Sequence, residues 1–167
     1  MNNKTSILNS ADIAARIRRM AFEVYEQNFG ETEIYLLGIG DRGSYISGQL
    51  LNELRAISPL VCKEFRAEIA RNESGLMGLS LDLSASEIED KVVLVIDDVL
   101  YSGRTQLSAV AQLLTAHPKR IQTLCLIDRG HRMMPIRPDY VGLELATTFQ
   151  EHVSFEVVDG QAVAYLM

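Results

Sequence analysis

The sequence predicts an α/β fold: a central, mainly parallel sheet with helices on both faces, completed by a small C-terminal strand-rich hood. Three observations carry that expectation. Apolar runs of strand length alternate along the chain with stretches of helical period, the pattern of successive βα units. Val92-Val93-Leu94-Val95-Ile96 is an unbroken apolar run without polar alternation, which is how a strand buried on both faces of a parallel sheet reads. Near the end, Asp159-Gly160 separates Phe155-Glu156-Val157 from Ala162-Val163-Ala164-Tyr165, a hairpin signal.

A chain of 167 residues is one domain's worth and is long enough to bury its own core, so a single domain over 1–167 is expected. With 47% hydrophobic and 23% charged residues it has the composition of a soluble globular protein, and no apolar run approaches a membrane span. The N-terminal M-N-N-K-T-S-I-L-N-S lacks the apolar core and cleavage pattern of a secretory signal, so a cytoplasmic location is expected. Cys62 and Cys125 lie far apart in apolar segments and read as buried thiols rather than metal ligands or a disulfide. A net charge of −6 argues against a dominant nucleic-acid surface.

In chain order, Ser10 is expected to cap a helix from Ala11 whose apolar face is Ile13, Ile17, Met20, Ala21, Val24 and Tyr25, with Gly30 past its end. Arg16, Arg18 and Arg19 lie off that face and read as a solvated surface rather than an RNA contact. Ile34 to Ile39 reads as a strand, followed by Gly40-Asp41-Arg42-Gly43 and a helix carrying Ile46, Leu50, Leu51 and Leu54. Gly38 to Gly43 matches G-x-G-x-x-G, with Glu64 placed as a Rossmann acid would be; the match is weak because its first glycine falls inside the strand. Leu60-Val61-Cys62 begins another strand, and Leu79, Leu81 and Leu83 alternate as a half-buried strand does. Arg71-Asn72-Glu73-Ser74-Gly75 between them is polar and loop-like. Thr123 to Ile127 is a further strand, ending in Asp128-Arg129-Gly130-His131-Arg132; with Arg137 this forms a basic cluster suited to ligand or partner contact.

The chemistry concentrates in Lys91 to Thr105, K-V-V-L-V-I-D-D-V-L-Y-S-G-R-T. Asp97 and Asp98 end the buried strand, and in open α/β sheets ligands sit beyond the carboxyl ends of strands. Tyr101-Ser102-Gly103-Arg104-Thr105 then leads into a helix with Leu107, Val110, Ala111 and Leu114 on its apolar face. Free N–H groups and the dipole at that helix start suit an anion, Ser102 and Thr105 add hydroxyls, and Gly103 permits close approach. Two carboxylates beside an anion cradle suit a ribose phosphate. The bland alternative is an Asp-Asp turn capping an ordinary βα unit. A Walker P-loop is excluded, since the loop lacks its lysine.

V-L-V-I-D-D-V-L-Y-S-G-R-T closely resembles the phosphoribosyl pyrophosphate (PRPP) signature of type I phosphoribosyltransferases. L-I-D-R-G-H-R-M-M-P-I-R-P-D-Y-V-G resembles a bifunctional branch of that family, uracil phosphoribosyltransferases that also act as RNA-binding attenuation regulators of pyrimidine operons. The resemblance implies that PRPP lies against Asp41, Arg42, Gly43, Asp97, Asp98, Tyr101, Ser102, Gly103, Arg104 and Thr105, with Arg42, Asp97 and Asp98 serving catalysis and the two acids meeting Mg²⁺ through water. It places the base near Asp128, Arg129, Tyr140 and Val141. Uracil is favoured because purine relatives carry an acid where this chain has Tyr101; Asp139-Tyr140-Val141-Gly142 keeps a 6-oxopurine enzyme as an alternative. The partners implied are PRPP and a nucleobase or nucleoside monophosphate, within a homodimer, with no membrane.

Two departures stand out. Gly40 replaces a lysine usual in the family, and the aromatic-Arg-Asp-Asp lid motif survives only as the faint echo Phe65-Arg66-Ala67-Glu68. These keep a nucleotide-sensing pseudoenzyme and an RNA-binding pyrimidine regulator in view as rival readings.

Overall fold

The computed structural model describes residues 4–71, 77–148 and 150–167. Residues 72–75 of the polar, loop-like segment lie outside the described residues, as do the first three of the N-terminal stretch read for a signal.

The main sheet has the order β4-β3-β2-β5-β6-β7, where β2 is Glu33–Ile39, β3 Val61–Arg71, β4 Met77–Leu81, β5 Val92–Leu100, β6 Arg120–Asp128 and β7 Tyr140–Glu144. β3, β2, β5, β6 and β7 run parallel, and β4 returns antiparallel beside β3. A second, antiparallel sheet of order β1-β9-β8 joins β1 (Thr5–Leu8) to the hairpin of β8 (Val153–Val158) and β9 (Gln161–Leu166). The expected hood is therefore built partly from the N-terminus, whose short strand carried too few apolar residues to be read. Asp159 and Gly160 both have positive φ, 50° and 76°, as a tight hairpin turn requires.

Both sheet faces are covered. Alternation along each strand sends Leu36, Leu94, Ile96, Leu124 and Leu126 to one core, shared with α1 (Ser10–Gln27), α2 (Gly40–Ile57) and the hood residues Phe155, Ala162 and Ala164. Leu37, Val93 and Val95 face the other core, with Ile88 of α3 (Ala85–Ile88) and Ala109 and Leu113 of α4 (Arg104–Leu114).

Several local expectations are corrected. Asn9, not Ser10, caps α1, through a reciprocal box with Asp12, while the Ser10 hydroxyl donates to the Ala162 carbonyl at 2.8 Å. Arg16 and Arg19 are not a free basic row. Their guanidinium groups donate to the Gly142 carbonyl at 3.0 and 2.9 Å, and Arg19 also to that of Val141 at 2.8 Å, so α1 covers the open edge of β7. β4 ends at Leu81, and Leu83 is buried beyond it. On α4 the buried residues are Gln106, Ala109 and Leu113, whereas Leu114 is 59% exposed. The helical spacing of Leu107, Val110, Ala111 and Leu114 was therefore real but named the neighbouring face; buried Gln106, which donates to the Leu124 carbonyl at 2.9 Å, disguises the inner one. Glu64 lies opposite Leu36 in the body of β3, away from the strand end where a Rossmann acid belongs.

The chain leaves β2 toward β3 on one side and β5 toward β6 on the other, so the crevice between the ends of β2 and β5 is the switch point where open α/β sheets bind ligands. Gly43 lets α2 start close against it: a Cβ there would meet the Ile96 carbonyl oxygen at 2.6 Å. Gly43→Ala is expected to lower stability by about 1–3 kcal/mol, read as a shifted urea midpoint, because the crowding atom is backbone and cannot rotate away.

Candidate active site

Asp97 and Asp98 do not end β5. The strand continues to Leu100, pairing Asp97 with Cys125, Val99 with Ile127 and Leu100 with Asp128 of β6. Pairing with β2 stops at Ile96, so the two acids stand beyond the end of β2 while still held in the sheet. Their carboxyls stay close enough for the Asp98 charge to act directly on Asp97. Asp97 lines a cavity of about 280 Å³ with residues 99–105. Asp98 faces the start of α2, where its Oδ2 lies 3.6 Å from Nη1 of Arg42.

Asp97 is 8% exposed, and its pKa is raised well above the usual carboxylate range, first by burial and then by the adjacent Asp98 charge. Its Oδ1 accepts the Asp98 backbone N–H at 2.9 Å. A buried carboxyl pushed toward its neutral form, in a cavity at a switch point, is poised to be stabilised by a cation or by hydroxyl donors.

The loop after β5 is held in shape from outside. The Ser102 carbonyl accepts the backbone N–H groups of Met133 and Met134, both at 3.0 Å, and the Ser102 hydroxyl accepts that of Arg104 at 3.3 Å. Gly103, at φ 80°, is the N-cap of α4, and a Cβ there would lie 2.5 Å from Cγ2 of Ile136. Thr105 and the first-turn N–H groups of α4 are thereby presented to the Asp97 cavity, an arrangement that suits a phosphate.

On the other side, Arg42 is 57% exposed at its side chain, and Asp41 is 90% exposed and paired with Arg66 of β3 at 2.6 Å. Arg66 had been singled out only within the lid echo; it is instead a strand residue facing the turn between β2 and α2.

The residues expected at the base divide. Asp128 is 2% exposed and holds the loop that follows it, accepting the Gly130 N–H at 2.8 Å and Arg132 Nη2 at 2.6 Å. Arg129, also 2% exposed, points inward: Nε donates to Thr147 Oγ1 at 3.0 Å and Nη2 to the carbonyls of Thr148 (3.4 Å) and Glu151. Its guanidinium lies 4.5 Å from the centre of the Tyr101 ring. His131 meets the Thr147 carbonyl through Nε2. Arg129 and His131 of the basic cluster thus work as a clasp joining the end of β6 to Thr147, Thr148 and Glu151.

Tyr140 is a core residue, 1% exposed. Its hydroxyl accepts from Gln122 Nε2 at 2.8 Å and donates to Gln27 Oε1 at 3.1 Å, and burial pushes its pKa up to about 12. Tyr140 and Val141 pair with Leu124 and Cys125, well short of the strand ends, so the motif that named them marks the start of β7. At the far end of β6 and β7, Asp128 to Arg132 and Glu144 to Thr147 line a cavity of about 420 Å³, and Glu144 to Thr147 had not been anticipated.

Residues 3–159 match the model of the phosphoribosyl transferase domain family. The chain is 38% identical over 156 residues to the bifunctional protein PyrR of Staphylococcus aureus strains JH9 and Newman, covering 89% of each sequence. Among solved structures it superposes on a hypoxanthine phosphoribosyl transferase of Trypanosoma cruzi (TM-score 0.76, 19% identity, 87% and 80% of the chains). It also superposes on a hypoxanthine-guanine phosphoribosyltransferase of Bacillus anthracis (TM-score 0.75, 17% identity, 89% and 87%). At these identities the solved structures speak for the fold. Among the described residues no helix is long and apolar enough to cross a membrane.

Proposed function

This chain belongs to the phosphoribosyl transferase domain family, and on that premise we propose that it transfers phosphoribose from PRPP to uracil, giving UMP and pyrophosphate. One observation carries the reading: a single β5-turn-α4 unit brings a buried acid and a second acid to the switch point and follows them directly with an anion-binding helix start. Asp97 and Asp98 would accept the ribose hydroxyls, and Ser102 to Thr105 would hold the 5-phosphate. Arg42, with Asp41 and Gly43 at the start of α2, would meet the pyrophosphate.

The donor set at this edge is carboxylate oxygen from two adjacent, mutually interacting acids, which suits a hydrated Mg²⁺ that would take its other ligands from phosphates and water. When bound, Mg²⁺ supplies neutralising charge for the leaving pyrophosphate. The chain's own part is positioning and electrostatics: the acids fix the ribose, the loop fixes its phosphate, and Arg42 stabilises charge growing on the departing group. Uracil N1 displaces pyrophosphate at the anomeric carbon, with the N1 proton passing to solvent. No covalent intermediate is required.

The base is assigned to the cavity at the ends of β6 and β7. Support for uracil comes from the likeness to PyrR and from Tyr101, a phenol where a carboxylate would be needed to handle a purine proton. An RNA-binding role is not adopted, because Arg16 and Arg19 are spent on the edge of β7. Turnover is expected to be slow, because Gly40 stands where the family usually carries a lysine and one cationic contact to the leaving pyrophosphate is lost. Steady-state transfer to uracil, orotate, hypoxanthine, guanine and adenine at one PRPP and Mg²⁺ concentration tests this. Uracil should turn over fastest; faster hypoxanthine turnover would replace uracil with a purine, and no turnover of any base would make the site a sensor.

A further inference from the structure

The outer face of α1 carries two phenylalanine rings turned to water. At about 100° per residue, Ile13, Ile17, Met20, Ala21 and Val24 form the buried side of the helix, and Phe22 falls opposite them. Phe22 is 50% exposed, and Phe29, two turns on and just past the C-cap Asn28, is 74% exposed. Single exposed apolar residues are ordinary, but two aromatic rings about 10 Å apart on one line of a water-facing helix make a stripe. Phe29 leans on Tyr25, whose ring centre lies 5.8 Å away and which packs against the core, so the stripe has a firm base.

The charges on the same line are unspent. Arg18 and Glu26, four residues before and four after Phe22, are exposed, and among the described residues neither has an ion-pair partner. The neighbouring Arg19 does: it meets Glu23 at 2.5 Å and donates to the carbonyls of Val141 and Gly142. Ala15, also exposed, lies seven residues before Phe22, as Phe29 lies seven after it.

This stripe is complementary to itself. When a second α1 lies antiparallel on the first with Phe22 at the two-fold axis, each residue after Phe22 meets the one equally far before it in the other copy. Arg18 then meets the partner's Glu26, twice over, and each Phe29 ring lies on the partner's Ala15, a side chain small enough to admit it. A parallel pairing would set the two Arg18 side chains together and the two Glu26 side chains together, so the charges select the antiparallel register. We propose that this face of α1 is an interface between two copies of the chain, closed by the paired Phe22 rings. One helix pair buries less than the roughly 1,200–2,000 Å² of a standard interface, so the contact is weak, with a dissociation constant on the order of 10 μM.

Sedimentation velocity of the full chain between about 1 and about 200 μM, at fixed ionic strength, tests this. The mass of the wild type should double once over that range. Phe22→Glu should weaken the doubling about tenfold or more, while its thermal melt at about 1 μM should match that of the wild type, because the ring faces water in the single copy. Arg18→Glu and Glu26→Arg should each weaken it about three- to fivefold by setting like charges together. The Arg18→Glu/Glu26→Arg double variant should return to within about twofold of the wild type, since both pairs re-form with their signs exchanged. No concentration-dependent doubling of the wild type, doubling of Phe22→Glu equal to it, or a double variant no tighter than its singles would overturn the proposal. A wild type that stays undoubled yet sediments with an oligouridine would also overturn it, giving the face to single-stranded nucleic acid.

Discussion

Asp97→Asn is expected to raise the stability of the protein at pH 7 while abolishing useful binding of PRPP with Mg²⁺. The folded chain holds the Asp97 carboxyl's pKa well above its ordinary value near 3.8, through burial first and the Asp98 charge second. A pKa raised on folding means that the folded state binds the proton more tightly than the unfolded state. The stabilisation linked to that proton is complete below the ordinary value and is lost as pH rises through the raised one. Above its ordinary pKa the ionisable side chain thus costs the fold stability that an uncharged amide would not. Asparagine removes the charge yet keeps an oxygen for the Asp98 N–H, which Asp97 Oδ1 now accepts at 2.9 Å. The ligand has the opposite preference, since ribose hydroxyls and a nearby cation favour the anion. Each charged hydrogen bond lost costs about 1.5–3 kcal/mol, roughly ten- to a hundredfold in affinity. PRPP affinity of the wild type should also fall as pH is lowered through the raised Asp97 pKa. Thermal melts and calorimetry at pH 7 are the check: a variant that melts below the wild type, or that binds PRPP equally well, would make Asp97 a structural residue.

Arg129→Ala should destabilise the chain by about 2–4 kcal/mol, the largest loss of stability expected from a side chain at the site. Removing the guanidinium leaves Thr147 Oγ1 and the carbonyls of Thr148 and Glu151 without their donor and takes the cation from beneath the Tyr101 ring. Because this clasp joins the end of β6 to the wall of the proposed base cavity, uracil turnover should fall with it. Arg129→Lys should recover little, since one ammonium cannot serve partners arranged for a planar fork. Urea unfolding is the measure, and wild-type stability in Arg129→Ala would show that these groups find water without loss.

Both predictions concern residues that the sequence singled out, but for different reasons than the structure supplies. The parallel sheet was legible because strands buried on both faces read as pure apolar runs, as in Val92 to Ile96, and the crevice was legible because such a run must end in polar residues. Asp97 and Asp98 were placed correctly at that edge. Their position inside β5 was not legible, since carboxylates that remain in the ladder look like carboxylates that leave it. The face of α4 was misread because a buried glutamine satisfied by a backbone carbonyl leaves no apolar mark. Tyr140 and Arg129 show the limit of motif reading: both sit in a recognisable stretch, yet one hydrogen-bonds within the core and the other ties down a loop more than 15 residues onward, a pairing that no local pattern announces. Arg66 was hidden for the same reason, because its partner Asp41 lies across the sheet in another element.

The central claim is transfer from PRPP to uracil, and its most direct test follows both products in one reaction. Purified wild-type protein is mixed with radiolabelled uracil, PRPP and Mg²⁺, and UMP and pyrophosphate are quantified together over time. The account predicts that the two appear in equal amounts, only when both substrates are present, and that Asp97→Asn forms neither. Pyrophosphate release without UMP, or UMP formed equally by Asp97→Asn, would contradict it.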